Sequence, residues 1–196
     1  NSVYSLVISA TIFPVYYNSV TQASDGSDTV SFFGWEVVNT VLYSYSISFS
    51  FLVVALLAPL LSGIADAAGN KLNFMKFFVY LGAVSCISLF FFTGENLEFG
   101  IICSVLASIG FSGSIVFYNS FLPEIAKEEE FDMLSAKGFA FGYIGSVILL
   151  VFNLIIIQNP DWFGMPAGSF APRFSFIVTG IWWIGFAQIP FRVLPN

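Results

Sequence analysis

A short polar connector between two long apolar runs carries the residues best placed to do chemistry in this chain. It reads Ser62-Gly-Ile-Ala-Asp66-Ala-Ala-Gly69-Asn-Lys71, so one carboxylate, one glycine and one lysine stand at fixed offsets. A carboxylate near a helix amino-terminus is stabilised by the helix dipole and by the free N–H groups there. Asp66 could gain from such a helix end or only solvate the loop, and the residues of the connector leave both interpretations open.

The elements that must position this connector are membrane-spanning helices. The chain has only six basic and twelve acidic residues among 196, and these leave six uncharged runs: Asn1–Ser24, Val37–Ala65, Phe77–Gly94, Phe99–Pro123, Gly138–Pro160 and Phe174–Phe191. Each run is about as long as the ~20 residues that cross a ~30 Å hydrocarbon layer. Because the runs are continuous rather than alternating, they exclude a strand barrel. We predict an all-α membrane protein with six spans, at about 3–17, 38–64, 74–93, 99–122, 138–158 and 174–192.

The basic residues predict the orientation of these spans. With alternating spans, one side of the membrane holds Lys71, Lys76, Lys127, Lys137 and Arg192, and the other side holds Arg173 alone. The positive-inside rule then places both chain ends in the cytoplasm. The net charge of −6 comes mostly from acids in the outer loops and from the run Glu128–Glu130, and nothing in it suggests a nucleic-acid partner.

Several kinds of chemistry are not expected. The chain has no histidine, and its two cysteines, Cys86 and Cys103, lie inside apolar runs, so neither a zinc site nor any other cofactor is expected. No span carries a nucleophile–base pair or paired carboxylates, which argues against an enzyme. No ionisable residue lies well inside a span. A proton-coupling group is therefore expected at a span end such as Glu36 or in another part of the protein.

Two connections carry local predictions of their own. The outer connection Asn18–Glu36 is rich in serine, threonine, aspartate and glycine, with Asp25-Gly26 as a turn signal. The longest inner connection, Glu124–Lys137, has apolar residues at helical spacing, so it forms either a short interfacial helix or a solvated connector. Pro14 should kink the first span or loosen its last turn.

Uncharged polar residues remain as candidates to line a substrate cavity. Besides Tyr4, these are Tyr17, Asn18, Asn39, Tyr43, Tyr118, Asn119, Tyr143 and Asn153. A buried amide or hydroxyl needs a hydrogen-bond partner, so each of them can instead join two helices. Small residues in the fifth span, Gly138, Gly142, Gly145 and Ser146, predict a face on which another helix packs closely.

The connector resembles the loop between the second and third spans of major facilitator transporters, whose pattern is roughly Gly-x-x-x-Asp-Arg-x-Gly-Arg-Lys. Asp66, Gly69 and Lys71 match this pattern, whereas the residues at 62, 67 and 70 depart from it. The resemblance implies that Asp66 braces helix ends of a second half and so holds one conformation. The missing arginine, replaced here by Ala67, weakens the case for a full charge cluster.

Longer segments resemble the branch called the unknown major facilitator family, which includes a fungal vacuolar amino-acid effluxer. The similar segments are Asn1–Tyr17, Tyr118–Ala126, Ser135–Gly145, Arg173–Phe176 and Trp182–Phe186. This resemblance implies half of a major facilitator fold with 3+3 inverted repeats, and the triplets Tyr17-Asn18-Ser19 and Tyr118-Asn119-Ser120 fall where such a repeat would place them. It also implies a secondary active transporter that moves a small polar metabolite, such as an amino acid, by alternating access.

The expected partners are then the lipid bilayer, a small-molecule substrate and a second six-helix half, with the bacterial plasma membrane as the expected location. The chain begins with Asn1 rather than methionine and both ends adjoin spans, so we expect it to be an amino-terminal half. The alternative is a non-transporting six-helix scaffold or accessory subunit of a larger membrane complex. Six further apolar runs in the same reading frame would favour transport.

Overall fold

The computed structural model describes residues 1–22 and 28–194, and within 64–68 it describes the helical backbone but not the side chains. A π-helix, Tyr4–Ile12, continues into helix α1, Phe13–Thr21. An antiparallel hairpin follows, with strands β1 and β2 at Thr29–Phe32 and Trp35–Val38. The remaining helices are α2 (Asn39–Ala68), α3 (Lys71–Ser88), α4 (Leu97–Ser120), the short α5 (Leu122–Ile125), α6 (Phe131–Gln158) and α7 (Phe170–Val193). Three 3₁₀ turns lie at Leu89–Phe91, Glu128–Glu130 and Pro160–Phe163.

Five helices in the described part of the chain are long and apolar enough to cross a membrane. They cover Asn39–Gly63, Lys71–Phe91, Leu97–Ile125, Glu128–Gln158 and Phe170–Val193. The first predicted span, 3–17, is helical, but it is divided between the π-helix and α1. Pro14 is the second residue of α1 and directly follows the π-helix, so the irregular part of this segment lies beside the proline that was expected to disturb it. The chain is therefore an all-α membrane protein, and a sixth span stays a prediction.

The helix boundaries depart from the predicted spans at charged residues. Helix α6 begins at Phe131 rather than at 138, and α7 begins at Phe170 rather than at 174. Charged residues such as Asp132 and Lys137 end an uncharged run but not a helix, because helices extend beyond the hydrocarbon layer. The inner connection Glu124–Lys137, predicted as either a short interfacial helix or a solvated connector, is not one continuous helix. The extended backbone of Ala126, at φ −143° and ψ 160°, ends α5, and the residues from Phe131 onward belong to α6.

The outer connection after α1 contains secondary structure that its polar composition did not predict. Residues up to Thr21 are helical, and the hairpin turns at Phe33 and Gly34, whose φ angles are 50° and 82°. Positive φ at both central residues is the geometry of a tight hairpin turn, and it suits glycine. The predicted turn at Asp25-Gly26 lies outside the described residues.

Helix α3 contacts several other helices of the bundle. It packs most extensively against α4 and then against α7, while α2 packs against α4, and α6 contacts α7 and the π-helix. The backbones of α3 and α4 approach each other at Gly82 and Gly110, where a Cβ atom built on Gly110 would overlap the backbone of Gly82. Small residues allow this approach, as in other membrane helix pairs.

Gly110→Ala should therefore destabilise the bundle. The added methyl group meets backbone rather than a flexible side chain, so α3 and α4 must separate, and overpacking of this kind costs about 1–3 kcal/mol. Gly145→Ala is the matched control, because nothing lies within 4 Å of a Cβ atom there. Thermal unfolding of both variants in detergent should show a lower melting temperature for Gly110→Ala alone. Equal melting temperatures would contradict the described α3–α4 contact.

Contacts between distant residues show which connections share an end of the bundle. At one end the Lys71 ammonium lies 2.7 Å from Glu124 Oε1, which joins the α2–α3 connection to the segment after α4. At the other end the Phe33 amide donates to Glu98 Oε1 at 3.2 Å, and Arg173 Nε donates to the carbonyl of Phe90. We call these the Lys71 end and the Arg173 end.

Labelling with an impermeant thiol reagent tests whether the two ends lie on opposite sides of a membrane. Single cysteines at Ser31, in the hairpin, and at Glu129, between α5 and α6, are both exposed. In a background with Cys86→Ala and Cys103→Ala, we expect Ser31→Cys to label only from outside intact cells and Glu129→Cys only after permeabilisation. Labelling of both positions from the same side would contradict the predicted topology.

Candidate functional site

The last turns of α1 and the first turns of α2 bring five polar residues together. Tyr17, Asn18 and Thr21 lie at the end of α1, and Asn39 and Tyr43 lie at the start of α2. Residues four apart share a helix face, so Tyr17 and Thr21 point the same way, as do Asn39 and Tyr43. We call these five residues the Asn39 cluster, and it lies at the Arg173 end of the bundle, where Tyr16 donates to the carbonyl of Phe92 at 2.6 Å.

The hydrogen bonds of the cluster determine how the Asn39 amide is oriented. Asn39 Nδ2 donates to Asn18 Oδ1 at 3.2 Å and to Thr21 Oγ1 at 3.4 Å. The Thr21 hydroxyl donates its own proton to the carbonyl of Tyr17 at 2.7 Å. Because that proton is committed, Thr21 Oγ1 can only accept from the amide, and Nδ2 must be the atom that faces it.

This orientation leaves Asn39 Oδ1 buried and without a hydrogen-bond partner among the described residues. A buried acceptor without a donor costs about 1–3 kcal/mol. A donor that reached this oxygen, such as a ligand ammonium or hydroxyl group, would therefore be bound favourably. Asn18 on the same cluster is exposed, so the cluster reaches the surface at the Arg173 end.

The two tyrosines of the cluster connect its residues to each other and to the π-helix. The Tyr17 hydroxyl donates to the backbone carbonyl of Asn39 at 3.0 Å, and its ring stacks on the ring of Tyr43 with centroids 5.5 Å apart. The Tyr43 hydroxyl donates to the carbonyl of Ser9 at 3.1 Å. Since Ser9 lies in the π-helix, Tyr43 connects the cluster to the first helical segment.

The other cavity candidates lie elsewhere. Asn153 is fully buried between α6 and α7, where Nδ2 donates to Thr179 Oγ1 at 3.4 Å and Oδ1 again has no described partner. Tyr118, Asn119 and Tyr143 are exposed. The structure thus brings four of the eight predicted residues, Tyr17, Asn18, Asn39 and Tyr43, into one place.

A second polar contact joins Tyr4, a cavity candidate from the sequence analysis, to Ser108, which the sequence analysis did not select. The buried Tyr4 hydroxyl lies 2.9 Å from Ser108 Oγ, and the Tyr4 ring stacks on Trp183 at 5.5 Å. Serine and threonine are frequent in this chain, so Ser108 and Thr179 carried no sequence signal. Thr21 could have been found, because it follows Tyr17 by one helical turn.

In the polar connector Ser62–Lys71 the structure describes the backbone and the side chain of Lys71. Gly69, with φ +63°, ends α2 in the left-handed conformation that glycine adopts readily. Lys71 opens α3 and forms the ion pair with Glu124, a residue whose sequence distance hid it from motif analysis. The side chain of Asp66 lies outside the described residues.

The small residues of α6 have different surroundings. A Cβ atom built on Gly142 would lie 2.7 Å from Ser2 Oγ, and one built on Gly138 would lie 3.1 Å from the Tyr118 hydroxyl. Ser146 is buried and donates to the carbonyl of Gly142 at 2.7 Å. At Gly145 nothing lies within 4 Å of a built Cβ atom. Gly142 is thus the position where another segment approaches most closely.

Comparison with known proteins identifies the class to which this membrane protein belongs. The chain is 35% identical over 191 residues to the uncharacterized MFS-type transporter YxiO of Bacillus subtilis (strain 168), covering 97% of this chain and 42% of that protein. It is 32% identical over 103 residues to autophagy-related protein 22 of Gibberella zeae, covering 53% of this chain and 16% of that protein. The first of these relatives is, by its name, a transporter of the major facilitator (MFS) type.

A family profile that matches nearly the whole chain identifies the family to which it belongs. The profile described as "Vacuole effluxer Atg22 like" matches residues 2–196, and the chain belongs to this family. The resemblance inferred from the sequence is thereby confirmed. The chain spans less than half the length of the relatives it matches. No solved structure matches it.

Proposed function

We propose that this chain is the amino-terminal six-helix half of a secondary active transporter that moves a small polar metabolite, in the first instance an amino acid, by alternating access. The observation that carries the proposal is the buried Oδ1 of Asn39, which has no hydrogen-bond partner among the described residues, in a cluster that opens to the surface through Asn18. Membership of a family with transporter relatives supports it.

The chemistry of the Asn39 cluster supports a polar substrate that donates hydrogen bonds. Its side chains are amides and hydroxyls, and the described charged residues lie near helix ends rather than inside the spans. An ammonium group suits a neutral acceptor such as Asn39 Oδ1, because hydrogen bonds to charged groups contribute about 1.5–3 kcal/mol. Under this proposal, any group that couples transport to protons lies outside these spans, in a second half or at a helix end.

Two long helices offer faces for a second half. Side chains on α2 and α6 are largely exposed, with Tyr45 at 70% and Phe141 at 74% exposed surface. A transporter of this class has two six-helix halves with the substrate site between them. The second half, in the same polypeptide or in a partner chain, would cover part of these faces, and lipid would cover the rest.

The connector takes the conformational role in this proposal. Asp66, Gly69 and Lys71 would hold helix ends of the second half at the Lys71 end, which the excess of basic residues places in the cytoplasm. Both chain ends then face the cytoplasm of a bacterial cell, with the protein in its inner membrane.

Transport by the full-length protein in liposomes tests the proposal. Uptake of a panel of radiolabelled amino acids, sugars and organic acids should be saturable for at least one amino acid and should be competed by unlabelled amino acids. Protein-free liposomes provide the background rate. If no compound in the panel shows saturable uptake, the scaffold alternative is favoured, and if only sugars or organic acids do, the substrate class is wrong.

A further inference from the structure

A seam between the first turns of α3 and the last turns of α7 presents hydrogen-bond donors at the Lys71 end. Gln188 Nε2 donates to the Tyr80 hydroxyl at 3.3 Å and to the carbonyl of Ile184 at 3.0 Å. The Tyr80 ring lies 5.9 Å from the ring of Phe191, and Lys76 Nζ lies 5.9 Å from the same ring. These contacts hold α3 and α7 side by side and define the seam.

Three donors on the seam point to a negatively charged ligand. Tyr80 accepts from Gln188, so its own O–H proton is free to donate outward. Lys76 lies one turn before Tyr80 on α3, and the exposed Arg192 lies one turn after Gln188 on α7. Among the residues whose side chains the structure describes, neither Lys76 nor Arg192 forms an ion pair, whereas Glu124 at this end is paired with Lys71.

The depth and surroundings of the seam suit a lipid rather than a soluble anion. Lys76 lies five residues after the start of α3, about 7.5 Å along its axis, so it is within two turns of the end of a predicted span. Exposed apolar side chains flank the donors, with Phe77 at 59% and Ile189 at 61% exposed surface. Basic groups between membrane helices on the cytoplasmic side bind anionic headgroups.

We infer that Lys76, Tyr80 and Arg192 form a binding site for the phosphate of an anionic phospholipid, whose acyl chains lie against the apolar surface between α3 and α7. The site lies at the opposite end of the bundle from the Asn39 cluster and is independent of the proposed transport function. The bound lipid contacts both α3 and α7 and so stabilises their packing.

Lipid binding to the purified full-length protein in detergent tests this inference. Native mass spectrometry or titration should show stronger binding of dioleoyl phosphatidylglycerol than of dioleoyl phosphatidylcholine. Each cation near the surface contributes about fivefold to anionic-lipid binding, so Lys76→Gln with Arg192→Gln should weaken phosphatidylglycerol binding about twentyfold or more. Tyr80→Phe should weaken it further by removing the hydroxyl donor. Lys127→Gln with Lys137→Gln is the matched control, because it removes the same charge at the same end but away from the seam.

Three outcomes would overturn the inference. Equal binding of the two lipids by the unchanged protein would show that no anionic headgroup is preferred. An equal loss in the control pair would show a general charge effect rather than a site. Competition by free glycerol phosphate at concentrations similar to those of the lipid would show a site for soluble phosphate. Unchanged melting temperatures in phosphatidylcholine will show that all variants are folded.

Discussion

Asn39→Leu is expected to reduce amino-acid uptake by the full-length protein by roughly tenfold to a hundredfold while leaving it folded. Leucine removes the buried acceptor proposed to bind the substrate, and such a hydrogen bond to a charged group contributes about 1.5–3 kcal/mol. The cost in stability should be small. The exposed Asn18 can turn to water, and Thr21 keeps its bond to the carbonyl of Tyr17. Uptake in liposomes should therefore fall, while the melting temperature should stay close to that of the unchanged protein.

Asn153→Leu is the matched control for that change. Asn153 is equally buried, and its Oδ1 also lacks a partner in the part of the chain that the structure describes, but its amide faces Thr179 on α7. We expect this variant to retain uptake within about threefold of the unchanged protein. If Asn39→Leu lowers the melting temperature in proportion to its loss of uptake, Asn39 is a structural hydrogen-bonding residue. If both variants lose uptake equally without unfolding, the site is not confined to the Asn39 cluster.

Asp66→Asn is expected to shift the conformational equilibrium of the full-length transporter by about tenfold without affecting membrane insertion. Residue 66 lies in the last turn of α2, so the stabilisation must come from a helix amino-terminus of the proposed second half. A carboxylate at such an amino-terminus contributes roughly 0.3–2 kcal/mol, and the neutral amide loses most of it. A cysteine at the exposed Asn119, near the Lys71 end of α4, should change its rate of labelling by a thiol reagent. Asp66→Glu should restore only part of the shift, because the longer side chain fits poorly at a close helix contact.

Asp132→Asn controls for the loss of charge alone. Asp132 is an exposed acid in the first turn of α6, and it belongs to no motif. Asp132→Asn should leave both the labelling of the cysteine at position 119 and amino-acid uptake unchanged. Unchanged labelling and uptake in Asp66→Asn as well would mean that the Asp66 carboxylate only solvates the connector.

The uncharged runs predicted the long helices because a charge inside the hydrocarbon layer is costly, whereas an apolar helix of sufficient length can cross that layer. The same logic could not find the ends of α6 and α7, since helices continue through charged residues outside the hydrocarbon layer. The hairpin at Thr29–Val38 was missed because its turn residues, Phe33 and Gly34, are not a typical hairpin pair. Hydropathy also cannot distinguish a π-helix from an α-helix, so Tyr4–Ile12 was unforeseen.

The Asn39 cluster was only partly predictable, because helix packing rather than composition decides which polar residues come together. Tyr17, Asn18, Asn39 and Tyr43 were selected as uncharged polar residues, and the packing of the end of α1 against the start of α2 brings them together. Tyr118 and Tyr143 were selected by the same criterion, yet both are exposed in this chain. Composition shows that a residue is polar, but the packing of α3 against α4 and α7 determines which helix faces remain uncovered. The pair Lys71–Glu124 likewise depends on packing.

Accessibility measured at both ends of the bundle tests alternating access most directly. Ser44, on the exposed face of α2 near the Asn39 cluster, and Asn119, near the Lys71 end of α4, are both exposed in this chain. Single cysteines at these positions, in a full-length protein lacking Cys86 and Cys103, should respond to a transported amino acid in opposite directions. We expect the labelling rate at one position to rise as the rate at the other falls, and we expect Asn39→Leu to abolish both changes. Changes in the same direction at both positions, or no change at either position during measurable uptake, would contradict alternating access.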